Sequence, residues 1–255
     1  MKLVDITKFV LLMGVIIWFL ARGTDRLGYN WQWYRVLQYF FYLKEDGYVA
    51  GPLIMGLMVT FKITGVSLLL SFSFGLIAAL FRLSNSFMAR ALARGYIELI
   101  RNTPLLVQLF FIYFVLGPVL DIDRFTAAVL ALSLFEGAYA SEIFRAGIVS
   151  ISKGQWEAAF SLGLGRYLTY RHIILPQAIR WILPPLTGQA ISLIKDSALV
   201  STIAIYDLTM RGQAIVAETF LTFEIWFTIA VVYLLITSFL SLMVNFMGNR
   251  LKLNH

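Results

Sequence analysis

The sequence predicts an all-α integral membrane protein. Three observations carry that expectation: several apolar runs approach bilayer length, charge is too scarce to cover a soluble domain, and cations gather in alternate gaps between the runs. Of the 255 residues, 60% are hydrophobic and 14% charged, and the mean hydropathy is +0.79. Soluble domains carry roughly 25% charged residues, so a chain this poor in charge takes lipid as its solvent. The net charge of +7 does not argue for nucleic acid. The basic residues cluster at the ends of apolar runs, where anionic headgroups attract them. Cysteine is absent and the only histidines are His172 and His255, which excludes disulfides, thiolate metal sites and a histidine-built metal centre.

A helix needs about 20 mostly apolar residues to cross a bilayer, and six stretches meet or approach that length. Residues 9–21, "FVLLMGVIIWFLA", are short for it; residues 52–80, from Pro52, are long enough to tilt. Then come 104–120, from Pro104, and 125–144, from Phe125, followed by 182–206 and 223–247. Asn102-Thr103-Pro104 reads as helix-start chemistry, a capping side chain followed by proline in the first turn.

Orientation follows from the cations. Arg82, Arg90, Arg94 and Arg101 follow the second run; Arg145, Lys153, Arg166, Arg171 and Arg180 follow the fourth; Arg250 and Lys252 close the chain. The alternate gaps, around Asp121–Arg124 and Asp207–Glu218, are poor in cations. The positive-inside rule then puts the first set, and both termini with Lys2 and Lys8, in the cytoplasm. Residues 22–51 fall outside, and their wealth of Trp and Tyr suits a helix lying in the membrane interface. The first run reads as an uncleaved helix and not a signal peptide, since no small-residue cleavage site is evident and Asp5 sits in the n-region.

One charged, glycine-jointed segment interrupts this pattern: "QWEAAFSLGLGRYLTYRHIILPQAIRW", from Gln155. Trp156, Ala159, Phe160 and Gly163 fall at i, i+3, i+4 and i+7, one apolar stripe on a short helix. Glu157 suits the positive end of that helix, and Gly163 and Gly165 mark its stop and turn. A second helix, "RYLTYRHIIL", runs up to Pro176, with His172 in the loop's packing. A projecting helix of this kind either docks on a partner or lies on the inner leaflet; spacing alone leaves both open.

Glu157-Ala158-Ala159, Gly163, Ile173, Leu175 and Pro176 follow the pattern EAA-x3-G-x9-I-x-LP. This resembles the EAA loop of the membrane-spanning subunits of ATP-binding-cassette (ABC) importers. "RLSNS" at Arg82, "ELIRNTPLLVQLFF" at Glu98, "GAYASEIFRAGI" at Gly137, "LPQAIRWILPPL" at Leu175 and "LIKDSALVS" at Leu193 resemble the branch that takes up polar amino acids. The resemblance covers roughly residues 52–250. It implies a five-helix type I ABC importer permease core at 52–250, with the EAA loop at 150–178. Residues 1–51 would add one N-terminal transmembrane helix and a periplasmic amphipathic extension. It further implies a bacterial inner-membrane location and docking of the loop in a cleft of a cytoplasmic ABC ATPase dimer. A second permease copy or a related permease would complete the pathway, and a periplasmic amino-acid-binding protein would deliver the cargo. ATP and Mg would reside on the ATPase, with no cofactor or metal in this chain. The family usually has Arg-Gly-Thr-Pro at Arg101–Pro104, Thr or Ser then Ser after Lys195-Asp196, and Glu at Asp207; none of these departures removes a charge.

Physical reasoning singles out further residues. No G-x-x-x-x-G-K-[ST] loop is present to cradle phosphates, so energy must come from a partner. Charge inside hydrocarbon costs about 2.5–3.5 kcal/mol per residue on insertion scales, so intramembrane ions need a reason. Glu142 and Arg145, three apart, can pair, for structure or for gating. Glu136 has no partner at i±3 or i±4 and must face a polar cavity or another helix, which marks it for the translocation path. Lys195 and Asp196 point in different directions and need partners elsewhere, at the pore, at a dimer seam or in a buried ion pair. Gly188, Ala190, Ser192, Ser197 and Ser201 would let helices approach closely there. Lys62 either snorkels or faces the interior. Two alternative functions remain, a membrane-embedded enzyme and a passive channel. The enzyme lacks a dyad, since Glu136 and Glu142 lie about 120° apart around a helix, and the channel leaves the long charged segment unexplained.

Overall fold

The computed structural model describes residues 7–15, 18, 22–23, 28–44 and 47–251. Residues 7–15 are helical and outward-facing. The remainder of the first expected span lies mostly outside the described residues, as do Lys2, Asp5, Lys252 and His255.

Among its described residues from Gly28 onward, the outer segment holds no α-helix. Residues 33–39 form two tight 3-10 turns, and β1 (Phe41–Lys44) pairs antiparallel with β2 (Gly47–Ala50), Leu43 opposite Tyr48. Its period is closer to two than to 3.6: Phe41 and Leu43 are exposed while Tyr42 between them is half-buried. Gly51 joins this hairpin to α1 (Pro52–Leu83). A Cβ there would lie 2.3 Å from the Tyr39 carbonyl oxygen, so only glycine lets the two backbones touch.

After α1, Ser86 caps α2 (Phe87–Arg101), its hydroxyl accepting from the Ala89 N–H. Pro104 then forces a break, and α3 (Leu105–Leu120) leaves at 106° to α2; the two form one bent pair and not a single straight span. Asn102 does not cap α3. Its side chain donates backwards to the Glu98 carbonyl at 2.8 Å and so closes the end of α2. Asp123 caps α4 (Arg124–Val149), accepting from the Thr126 N–H and hydroxyl, and these bonds hold its carboxyl below its ordinary pKa.

The centre of the fold is the α1–α4 seam. Small residues recur every fourth position, Ser67, Ser71, Gly75 and Ala79 on α1 against Ser133, Gly137 and Ser141 on α4, all buried. A Cβ on Gly75 would stand 2.8 Å from that of Ala140. In lipid, where helices gain no hydrophobic drive to associate, such close backbone approach supplies the packing energy. Ile63, Leu105, Leu109, Leu132 and Leu193 close the core around it.

A short helix α5 (Lys153–Ser161) follows α4. The chain then returns as helix from Arg166 and passes through a π turn at Tyr170–Ile174 into α6 (Leu175–Asp196) and a 3-10 turn at Ser197–Ile203. The second loop helix therefore does not stop at Pro176. The wider π turn precedes that proline, which occupies the first turn of α6, where its missing N–H is harmless. Residues 208–219, expected as a loop, are helix α7 (Leu208–Thr219), folded back against α1 at Gly56 and Thr60. The chain ends in α8 (Thr222–Leu251). Among the described residues α1, α4 and the Thr222–Val244 part of α8 are each long and apolar enough to cross a membrane, and the α2–α3 pair passes when taken together. Helix α6 does not, because Arg180, Gln189, Lys195 and Asp196 interrupt its apolar character.

Candidate functional site

The EAA segment forms a helix–turn–helix. Ser152 precedes α5, so Glu157 falls in its second turn and not at its positive end. Gly163 ends the helix with φ +74°. The Gly163 N–H donates to the Phe160 carbonyl at 2.9 Å and the Leu164 N–H to that of Ala159 at 3.1 Å. These are the paired bonds of a Schellman stop, which glycine adopts without Cβ strain. Trp156 and Ala159 face inward, Trp156 edge-on to Tyr170 at 5.0 Å and packed in the cluster of Ile148, Ile151 and Ile174. The stripe read from the sequence is therefore split. Half of it fastens α5 to the returning chain, and the surface left for a partner carries Glu157, Ala158, Phe160 and Leu162, all exposed. Ile173 is half-buried, Leu175 and Pro176 are exposed, and His172 is exposed with its ring nitrogen near the Leu168 carbonyl of its own turn.

Farther along α6, Gln189 donates to Glu136 of α4. Glu136 is 1% exposed, its Oε1 accepts no hydrogen bond among the described residues, and Asp196 lies beside the same carboxyl. Another helix thus meets Glu136, as a charge without partners on its own helix requires. Lys195 is exposed, Ser197 is buried and bonded to its own helix, and among the described residues neither Lys195 nor Asp196 joins an ion pair. Gly188 faces open space within the chain; α6 meets α4 closely instead at Gly147, where a Cβ would stand 2.3 Å from Ile182, and small residues repeat along the α1–α4 seam. Sequence spacing missed that seam because serine and glycine at every fourth position are masked by the apolar residues around them.

Glu142 accepts two bonds from Arg145 at 3.1 Å, as its spacing predicts, and is also clamped by Arg82 from the end of α1. The second arginine was invisible in the sequence, lying 60 positions away. A cleft of about 420 Å³ beside it opens between α4 and α6, walled by Ile143, Ala146, Trp181 and Pro185. Lys62 is exposed, its ammonium 5.1 Å over the Phe125 ring.

The chain is similar to known proteins over most of its length. Residues 71–253 match the family described as binding-protein-dependent transport system inner membrane component. The chain belongs to that family. Among its permeases, the glutamine transport system permease protein GlnP of Escherichia coli K12 is 43% identical over 204 residues, 79% of this chain and 93% of that protein. The L-cystine transport system permease protein TcyB of Bacillus subtilis is 41% identical over 77% of this chain and 85% of its own length. A crystal structure of an amino acid ABC transporter with histidines superposes with a TM-score of 0.74 at 39% identity, covering 78% of this chain and 94% of the other. An inward-facing MetNI methionine ABC transporter shares the fold, with a TM-score of 0.68 at 18% identity over 79% and 96% of the two chains. This permease is accordingly a multi-pass membrane subunit of a multi-subunit ABC transporter.

Proposed function

We propose that this chain is the permease subunit of an ATP-driven, binding-protein-dependent importer that moves a polar amino acid across the bacterial inner membrane. A cytoplasmic ABC ATPase dimer hydrolyses ATP with Mg, a periplasmic binding protein delivers the cargo, and a second copy or a related permease completes the pathway. In this reading the termini and residues 150–178 lie in the cytoplasm and residues 22–51 outside, and 1–51 form an addition to the core at 52–250. Membership of the transport family leaves an embedded enzyme or a passive channel without support.

One observation carries the mechanism: the exposed face of α5 is fastened to a chain that runs on as helix to Gln189, which donates to Glu136 of α4. The Trp156–Tyr170 contact makes α5 and the returning chain one body, so a partner gripping Glu157, Ala158 and Phe160 pulls on α6 itself. Pro184 and Pro185 sit inside α6, where each removes a backbone bond and lets the helix bend. Bending there moves Gln189 relative to Glu136. Glu136, Glu142, Lys195, Asp196 and Ser197 then border the path or the seam with the second permease. The free oxygen of Glu136 would meet the ammonium group of a zwitterionic cargo. A partner can drive such a change only by binding one state better than the other.

Coupling is tested by Glu157→Lys and Gly163→Asp in the purified complex. Both should assemble, yet lose the ATPase stimulation that a liganded binding protein produces, and lose uptake. Undiminished uptake in either variant overturns the docking role.

A further inference from the structure

The hairpin and turns ahead of α1 expose one apolar face whose position indicates what covers it. Tyr29 and the Gln32 N–H both donate to Glu224 in the first turn of α8. Tyr29 also meets Phe223 edge-on at 4.8 Å, and Trp31 and Trp33 stack with planes 4° apart. Burial and the Glu224 carboxylate push the Tyr29 hydroxyl up to about 12, so this attachment stays protonated and intact at neutral pH. Gly51 fastens the other end to α1, its N–H donating to the Phe40 carbonyl at 2.6 Å. The segment is thus tied to the starts of two spans, Pro52 and Thr222, and stands level with one edge of the bilayer.

Two features of its free face agree on lipid. Phe41, Leu43 and Tyr48 share one side of the hairpin by their pairing register and are exposed, as are Tyr34 and Leu37 in the preceding turns. Trp33 lies 6.4 Å from Phe227, an exposed residue on the flank of α8, so the collar continues the surface that this span shows to hydrocarbon.

We infer that residues 28–44 and 47–50 form an aromatic collar that seats in the headgroup–acyl boundary of the leaflet at the Pro52 end and holds α1 and α8 at fixed depth. This inference does not depend on which leaflet is the outer one.

Because the chain has no cysteine, Leu37→Cys and Leu43→Cys can each carry a single environment-sensitive fluorophore in the complete transporter reconstituted in liposomes. Lipid carrying a nitroxide high on its acyl chain should quench both labels, while aqueous iodide leaves them unchanged. Quenching by iodide with none by the nitroxide lipid would place the face in water and overturn the inference. Protection from both quenchers would mean that protein covers it, which overturns it equally. Tyr48→Cys, on the neighbouring strand, gives the same readout if either leucine variant fails to assemble.

Discussion

Asp207 shows how one side chain settles a local structure. It is fully buried at the N-cap of α7, and its Oδ1 accepts from the Met210 N–H at 2.8 Å. A cap favours this short acid, whose carboxylate reaches the N-terminal N–H groups without folding back. Next to it the Leu208 N–H donates to Thr60 Oγ1, and a Cβ on Gly56 would stand 2.7 Å from the Asp207 carbonyl. Capping and close approach therefore act at one crossing. Asp207→Ala should destabilise the complex by about 1–2 kcal/mol and Asp207→Asn by less, read as thermal unfolding in detergent. Equal losses for the two would mean that the cap is not what matters. Glu142 differs in kind: it and its two arginines are partly exposed. A double-mutant cycle between Arg82 and Glu142 should therefore return only about 0.5–1 kcal/mol.

Among the elements, α1 and α4 decide the architecture. Their seam makes opposite demands on two glycines of the same helix. A Cβ at Gly75 meets Ala140 and the Gly137 carbonyl, neither of which can swing away, whereas Gly65 has open space around it. Gly75→Ala should cost about 1–3 kcal/mol from overpacking. Gly65→Ala should instead raise stability by about 0.5–1 kcal/mol, since alanine loses less entropy on entering a helix. Melting temperatures moving in opposite directions check both; a common sign would rule out the seam as the source. Amphipathic periodicity in α5 misled for a related reason. Its apolar stripe is real, but Tyr170 and Ile174 of the same chain cover half of it, and sequence spacing cannot tell an internal neighbour from an external one.

For the whole molecule, the consequence is a separation of coupling from passage. The exposed loop and the buried Glu136 occupy opposite ends of one helical path through α6, so damage at each end should read differently. Glu136→Gln keeps the volume and the bond with Gln189 but removes the carboxylate. Uptake should fall by about tenfold, equivalent to roughly 1.4 kcal/mol, while stimulation of the ATPase by the liganded binding protein survives. Glu157→Lys should abolish that stimulation. Normal uptake in Glu136→Gln would remove Glu136 from the path.

Hydropathy and fixed-spacing motifs made the membrane class, the limits of α1, α4 and α8, the glycine stop at Gly163 and the family legible from the chain alone. Each depends on interactions within a few residues or on lipid as a uniform solvent. What tertiary structure alone decided involves partners far apart in the chain: Arg82 on Glu142, Gln189 on Glu136, Tyr29 on Glu224, and α7 against Gly56. The hairpin at Phe41–Ala50 and the continuity of α6 past Pro176 belong with them. Both answer to local geometry that composition does not encode, a glycine contact at Gly51 and a π turn at Tyr170–Ile174 that leaves room for a proline. Short-range preference is written in every residue, whereas a contact across the fold exists only once the intervening chain has been placed.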